Sequence, residues 1–496
     1  MKRLYIILSL LLISGIAFSQ TADDALRYSQ QNFNSTARSS SMGGAFGALG
    51  GDFSSISINP AGIAVYQSSQ FTFTPTLEYR ETTSSGETSN YNDSEDKFSL
   101  GIANIGLVTT YKPRFKTEKG WQNFNFAIGY NKLNNYRKSS ISRIQNANTS
   151  LLDVFVGNSI GSTDSELNSF REYLAFETYI INPDENDPTN YSAITDERLN
   201  QMQTLDEKGY AGEFVMAFGA NYNHKLYIGA SIGIQNINYK STKKYSESTQ
   251  AGSTSEFDEY TFEEYFKSSG FGANLKLGLI YKPTNTVRLG ASFHTPTFFS
   301  MDEEFKSSMV SHFNTVDDDG YSNYAADSPF AEYSYNFRTP MRAVFSGAVV
   351  LQKKLIISAD YELIDYSKAK FYDGEDGDDF NGDFDNPDTN DIIKSEYQNT
   401  SNLRAGLEFR ISPTISLRTG FSRFGNPFKS AKIDEAYNVY SGGWGIKQGN
   451  FFFDMAYSYA DKEKDYYYYS TPDFASSKIN ETDTNHQVRM TFGFKF

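Results

Sequence analysis

The chain contains no cysteine, which excludes disulfide staples, thiolate metal centres, thiol nucleophiles and a lipid anchor on an N-terminal cysteine. Histidine is scarce: His224, His294, His312 and His486 lie far apart, and none belongs to an H-E-x-x-H frame. No G-x-S-x-G is present, and neither nucleotide-binding glycine motif is found. Positive charge is in deficit, with 45 Lys and Arg against 60 Asp and Glu, so no nucleic-acid partner is expected. Beyond the first twenty residues no apolar run is long enough to span a membrane as a helix. Tryptophan is rare as well, with only 2, whereas Tyr (35) and Phe (41) are abundant, as aromatic girdles at two membrane interfaces require.

What is present begins with an address. Lys2 and Arg3 precede an apolar run from Leu4 to Phe18, and Ala17 and Ser19 are small residues at cleavage-site positions. This reads as a signal peptide over 1–19, cut to leave Gln20 or Thr21 first. A secreted chain whose only possible membrane elements are strands is either soluble and periplasmic or a barrel.

The strand pattern chooses between them. Val488, Met490, Phe492, Phe494 and Phe496 alternate with Arg489, Thr491, Gly493 and Lys495. Period two puts the oily groups on one face and the polar or small ones on the other. The same alternation recurs at 226–234, 271–281, 403–411 and 451–459, and in runs near 71–79, 98–111, 121–136, 214–222, 287–295, 341–351, 355–364, 415–423 and 437–446. The expected fold is an all-β transmembrane barrel of about fourteen antiparallel strands, an even number as bacterial barrels have. Links alternate too. Asn223-His224-Lys225, Pro283-Thr284-Asn285, Gln352-Lys353-Lys354 and Ser412-Pro413-Thr414 are short, whereas 137–210, 241–268, 297–337, 371–398 and 463–485 are long and polar. Short periplasmic turns and long outer loops are expected of such a barrel, here over 70–496.

Two runs lose phase. After Phe98, Leu100 and Ile102 the apolar set resumes at Ile105, across Ala103 and Asn104; after Tyr130 it resumes at Leu133, past Asn131. Such a slip marks either a bulge or kink in the wall or the point where each strand leaves the lipid.

Residues 20–69 do not alternate. Thr21, with Asp23 and Asp24 behind it, has the form of a helix N-cap with an acidic first turn. A glycine-rich stretch follows, SMGGAFGALGGDFSSISINPAGIAVY, whose small residues suit a segment threaded between walls. This segment is expected to be a hatch of short helices inside the lumen. The run GGDFSSISINPAGIAV resembles the hatch of FadL-type outer-membrane transporters of long-chain fatty acids and aromatic hydrocarbons. Asn59, Pro60, Ala61 and Gly62 stand where that family carries Asn-Pro-Ala-Gly, with Asp52 as the upstream acid. VRLGASFHTP, LIISADYELIDYSK, LRAGLEFRISPTISLRTGFS and the Phe-terminated last strand resemble the family's later strands in the same order, while loops 137–210, 297–337 and 371–398 do not.

The resemblance implies a non-enzymatic, cofactor-free and metal-free role in the outer membrane. Hydrophobic molecules would be captured by the loops, bound in the lumen, and released sideways as the hatch moves. Partners implied are a fatty acid-like ligand, outer-membrane lipid and lipopolysaccharide, and the barrel-assembly machinery through the strand ending at Phe496. Arg288, Arg342, Arg404, Arg418 and Arg489 lie on the inward phase; they form either a paired lumenal network or a site for a carboxylate. Ala103, Asn104, Asn131 and Leu133 are the candidate wall kink. In the loops, 163–181 is read as one helix with Leu167, Phe170, Leu174 and Ile181 on a face, and Phe298 and Phe299 as solute-collecting aromatics. The acidic run 373–391 does not fit calcium-loop spacing and reads as a solvated loop. Two alternatives stay open: an adhesion or scaffold barrel that binds a protein or glycan through its loops, and an outer-membrane hydrolase using Ser292 and His294.

Overall fold

The computed structural model describes residues 21–32, 35–87, 91–113, 119–373, 387–430 and 433–496, so the expected signal peptide and most of the acidic run lie outside the described residues. Fourteen staves form a closed antiparallel barrel. In chain order they are β1 (Gln70–Gly86), β2 (Asn92–Tyr111), β3 (Trp121–Asn135, continued by Lys138–Ile144), β4 (Asn200–Tyr222) and β5 (Leu226–Ser248). Next come β6 (Phe257–Tyr281), β7 (Val287–His294, continued by Phe298–Phe313), β8 (Ala331–Arg338, continued by Arg342–Leu351) and β9 (Leu355–Asp365, continued by Lys370–Asp373). The last five are β10 (Asn399–Arg410), β11 (Ile415–Phe424), β12 (Tyr437–Gln448), β13 (Phe451–Tyr466) and β14 (Ile479–Lys495). β1 pairs with β14 from Gln70↔Lys495 to Gly86↔Ile479, which closes the ring and leaves no sheet edge for lipid to meet.

The alternation dictates which face goes where. Phe271, Leu275, Leu277 and Leu279 are exposed on the outside, while Asn274 and Lys276 between them are buried inside. Among the described residues no helix is long and apolar enough to cross a membrane, a statement that does not bear on strands. The short links are tight turns. Asn223 and His224, and likewise Gln352 and Lys353, have φ between 51° and 56°, so both central residues of each turn are left-handed, as two-residue hairpins demand.

The long connections are less irregular than expected. β5 and β6 pair continuously up to Ser248↔Glu259, so 241–268 is mostly strand. Within 297–337, Phe298–Phe313 pairs with Asn323–Asp327 and Ala331–Arg338. Above the bilayer a strand has water on its outer face and needs no apolar phase there, so hydrogen bonding outlasts the alternation. The single helix read over 163–181 is also corrected. The chain forms a helix over Leu151–Ser159, a 3-10 turn over Asp164–Glu166, and a short helix over Glu172–Glu177, with Ile181 in a small strand. The carboxylate of Glu247 anchors the Leu151–Ser159 helix by accepting from Leu151 N (3.0 Å), Tyr245 (2.6 Å) and Tyr260 (2.9 Å). These residues pack as one buried cluster over the barrel mouth.

Candidate functional site

Residues 21–32 and 35–69 fill the barrel from within. Thr21 caps the first helix (Ala22–Ser29) and exchanges hydrogen bonds with Asp24 in a capping box. Ala37–Ser41 and Ser55–Ile58 are shorter helical turns, and Pro60–Val65 is a 3-10 turn with Asn59 as its cap. So irregular a segment leaves many backbone groups unpaired, and the inward-facing residues of the wall satisfy them. Asn125 donates to Ile63 O (2.7 Å), Arg288 to Leu49 O (2.7 Å), Ser422 to Gly43 O (2.7 Å), and Thr491 accepts from Ala37 N (2.8 Å). Asp360 accepts from Gly47 N at 2.9 Å. Arg38 reaches Glu408 at 2.8 Å; burial alone opposes its charge, but that carboxylate outweighs burial and holds the guanidinium above the usual arginine range.

The hatch motif itself is gathered against the wall. Asn59 accepts from Ala61 N (3.1 Å) and donates to Gly47 O (2.7 Å) and Leu279 O (3.1 Å). It therefore ties its own turn, the preceding glycine loop and β6 together. Asp52 accepts from Thr36 Oγ1 (2.6 Å) and Ser54 N (2.9 Å), fixing the loop before the motif. Gly219, Gly229 and Gly278 stand in register across β4, β5 and β6. A Cβ on these would collide with Ile63, with Pro60 O and with Asn59 Oδ1 respectively, so the glycine row is the seat on which Pro60, Ala61 and the following turn rest. Gly62 has no room for a side chain either, since Ser55 and Gly50 abut it.

Both phase slips coincide with register shifts in the ladder. β2 pairs with β3 from Tyr111↔Phe124 up to Asn104↔Asn131, and among the described residues no pair lies above that one. Higher up, backbone pairing joins β2 to β1 only and β3 to β4 only, while side chains still cross between β2 and β3, among them Arg143 of β3 on Asp93 of β2 at 3.0 Å. Ala103 is the extra residue opposite the Thr74/Pro75 step, and Leu133 the extra residue between Lys132 and Asn134. The upper limb of β3 swings inward: Ser142 meets Tyr466 of β13 (3.1 Å), and Lys138 forms an ion pair with Glu481 of β14. A seam is left between β2 and β3, lined on the lumen side by Glu78, Ser99, Gly101, Lys132 and Asn135. Lys132 is 3.2 Å from Glu78, and Asn135 donates to Ser99 at 3.2 Å. On the lipid side Leu100 is 73% exposed. Leu133 does not resume the lipid face, as the sequence suggested; the inward bend buries it in the core shared with the hatch.

Seam and hatch are joined. Thr72 and Asn131 hold Asn104 (2.9 and 2.8 Å), Asn131 donates to Ser57 of the hatch (2.8 Å), and Ser57 donates to Glu213 (2.7 Å), which pairs with buried Lys276. Just below, Gly106 and Gly129 face one another across β2 and β3, and the Phe53 ring occupies the space that any side chain there would need. A family model described as outer membrane protein transport protein (OMPP1/FadL/TodX) matches residues 213–460. The chain belongs to this family. Its members are outer-membrane transporters of hydrophobic compounds, and the barrel is accordingly an outer-membrane protein. No curated protein sequence matches the chain. Among solved structures it is similar to a Pseudomonas aeruginosa FadL homologue, at 12% identity over 93% of this chain and 98% of that one, with a TM-score of 0.56. It is similar also to the P. putida toluene transporter TodX, at 11% identity over 94% and 99%, with a TM-score of 0.52. At these identities the likeness concerns the fold.

The inward arginines divide into two groups. Arg342 and Arg404 both hold Glu362 at 2.6 Å, and Arg418 holds Glu408 (2.8 Å) and Asp454 (2.6 Å). These pairs are buried and knit β8 to β13. Arg288 and Arg489 have no carboxylate within ion-pair distance among the described residues. Arg489 contacts Ser40 (3.1 Å) and Gln487 (2.8 Å), its Nε is without a partner, and it borders a lumenal cavity of about 330 Å³ above the hatch. Arg27, Arg80, Lys138, Glu207 and Glu481 line the same cavity, which is therefore polar.

Ser292 and His294 do not form a pair. Ser292 Oγ donates to Ile58 O (2.7 Å), and His294 Nε2 lies 2.9 Å from the same oxygen, so both steady the hatch just before Asn59. Phe298 and Phe299 face opposite ways: Phe298 is exposed outside, and Phe299 packs against Phe337 in the lumenal core. Phe53, Ser57, Glu213 and the glycine rows escaped the sequence reading. Glu213 shares the inward phase of Val215 and Ala217, the one signal that pointed to it.

Proposed function

We propose that this protein is a passive transporter in which a hydrophobic, carboxylate-bearing molecule such as a long-chain fatty acid leaves the lumen sideways through the seam between β2 and β3. The observation that carries the proposal is the hydrogen-bonded chain from Asn104 through Asn131 and Ser57 to Glu213, because it connects the wall opening to the hatch. Ligand arriving from the loops meets Arg489, whose guanidinium offers a free edge to a carboxylate. Displacing the hatch breaks the Ser57 link and lifts Phe53 from the Gly106–Gly129 step, and the ligand then passes between β2 and β3 into the bilayer. Burial of its chain in lipid supplies the drive, at about 0.8 kcal/mol per methylene. In this reading residues 20–69 are the gating unit and 70–496 the conduit.

The test is uptake of a labelled fatty acid by outer-membrane vesicles carrying wild type, Ser57→Ala or Arg489→Gln. Ser57→Ala should change the rate, and Arg489→Gln should weaken uptake of the acid but not of its methyl ester. Wild-type rates in both would sink the proposal and favour the loop-binding scaffold, whose interior need not open.

A further inference from the structure

We infer that the periplasmic mouth of the barrel, beneath the hatch, carries an oxyanion site in which Lys225, Lys282 and Arg288 hold a phosphate or carboxylate group and so favour the closed hatch. The inference concerns the resting position of the hatch alone and is independent of the transport reading.

The site follows from the register of the wall. The β5–β6 ladder ends at Leu226↔Tyr281, and the β6–β7 ladder at Tyr281↔Leu289. One step further out, Lys225, Lys282 and Arg288 therefore stand side by side on three neighbouring strands. Lys282 N donates to Lys225 O at 2.7 Å, which holds the first two in line. Tyr281 and Leu289 face lipid, at 46% and 52% exposed, so Lys282 and Arg288 next to them fall on the lumenal phase. Lys225, next to Leu226, shares that phase.

No acidic side chain answers these charges. The described short links and strand ends of this rim (66–71, 110–113, 119–122, 221–226, 281–288, 350–355, 409–416, 446–451 and 494–496) hold ten Lys and Arg and no Asp or Glu. Among the described residues, none of the three cations has a carboxylate within ion-pair distance. Like charges directly opposite one another weaken a sheet, and here three stand in a row. Burial, and then the adjacent Arg288, hold the Lys282 ammonium below the usual lysine range. An anion bridging the row removes the repulsion, and a guanidinium beside two ammonium groups matches the oxygens of a phosphate or carboxylate.

The row also touches the hatch. Arg288 Nη1 donates to Leu49 O at 2.7 Å, and its Nε has no partner among the described residues. A Cβ on Gly290, two residues further along β7, would collide with Gly47 O, so the glycine loop of the hatch rests on this stretch of wall. With the hatch seated, Leu49 O braces the guanidinium and leaves its other hydrogens for an anion. With the hatch displaced, that brace is lost. The anion therefore binds the closed state better, and by linkage it stabilises that state. Lys225 is exposed, as are Pro283, Thr284 and Asn285 of the next turn, so the site is open on the periplasmic side, where the short turns of such a barrel lie.

The test is amide exchange over residues 45–51 of the full chain in uncharged detergent, with inorganic phosphate replacing chloride at constant ionic strength. Separate arms add short-chain phosphatidic acid or phosphatidylcholine. At about ten times its dissociation constant, phosphate should slow exchange about tenfold in wild type. Lys225→Gln/Lys282→Gln keeps the Leu49 tie and should lose the effect, whereas Lys353→Gln/Lys354→Gln, on the same rim between β8 and β9, should retain it. Slowing by inorganic phosphate supports a free oxyanion as the occupant, and slowing by phosphatidic acid alone supports a lipid headgroup. The inference is overturned if neither slows exchange in wild type or if phosphatidylcholine acts equally well. It is overturned also if the Lys225/Lys282 variant keeps the effect or both lysine pairs lose it alike. The wild-type comparison decides alone if a variant fails to fold.

Discussion

Asn104 and Asn131 face one another across β2 and β3, and their 2.8 Å side-chain hydrogen bond lies at the last backbone-paired step before the two ladders part. The same Asn131 amide donates to Ser57 of the hatch, so one side chain holds both the wall and its stopper.

Replacing Asn131 by Ala removes both links and leaves the Ser57–Glu213 bond without its neighbour. The buried groups left unpaired cost about 1–3 kcal/mol. The expected outcome is faster amide exchange over residues 52–58 with a barrel that still migrates as folded in unheated gels. Unchanged exchange there would separate the hatch from the seam.

Asn59→Asp divides the two tasks of Asn59. A carboxylate still caps the turn at Ala61 N, but it can no longer donate to Gly47 O or Leu279 O. Hatch protection against proteolysis should fall in Asn59→Asp almost as far as in Asn59→Ala. If only Asn59→Ala is affected, the cap matters and the tie to β6 does not.

Arg404→Gln and Arg489→Gln should differ in kind. Glu362 loses one of its two arginine partners in Arg404→Gln, and breaking a buried ion pair costs about 3–5 kcal/mol. Thermal stability should therefore drop. Arg489→Gln removes a cation with no carboxylate partner among the described residues, so stability should hold while discrimination between a fatty acid and its ester falls.

Deleting residues 20–62 should give a barrel that still assembles, because pairing around the ring involves no hatch strand. Its lumen would fill with water, and conductance in a planar bilayer should rise. Failure to assemble would make the hatch a structural core and not a gate.

Much of this architecture is legible in sequence, for a physical reason. Lipid imposes a strict period of two on every crossing, so Phe271–Tyr281 or Val488–Phe496 declares its face without knowledge of its neighbours. The bulges at Ala103 and Leu133 are legible for the same reason, because a slip in that period has few causes. Where water covers the outer face, as above Asn236 on β5, the apolar period fades although the strand continues, and long ladders read as loops. The seat of Phe53 on Gly106 and Gly129 joins segments with no local signal, as does the Ser57–Glu213 bond. Neither glycine nor serine announces what approaches it. Ser292 and His294 suggested chemistry by residue type alone, and only the position of Ile58 O shows that they are props.

Lateral exit is tested most directly at Gly101, which faces the lumen beside Lys132 in the seam. Gly101→Phe fills the gap between β2 and β3, whereas Gly347→Phe places the same ring in open space on the outer face of β8. Fatty-acid uptake by vesicles carrying each folded barrel is the measurement. The seam as exit requires uptake by Gly101→Phe to fall to the level of vesicles without the protein while Gly347→Phe stays at the wild-type rate. Wild-type uptake through the Gly101→Phe barrel would contradict it.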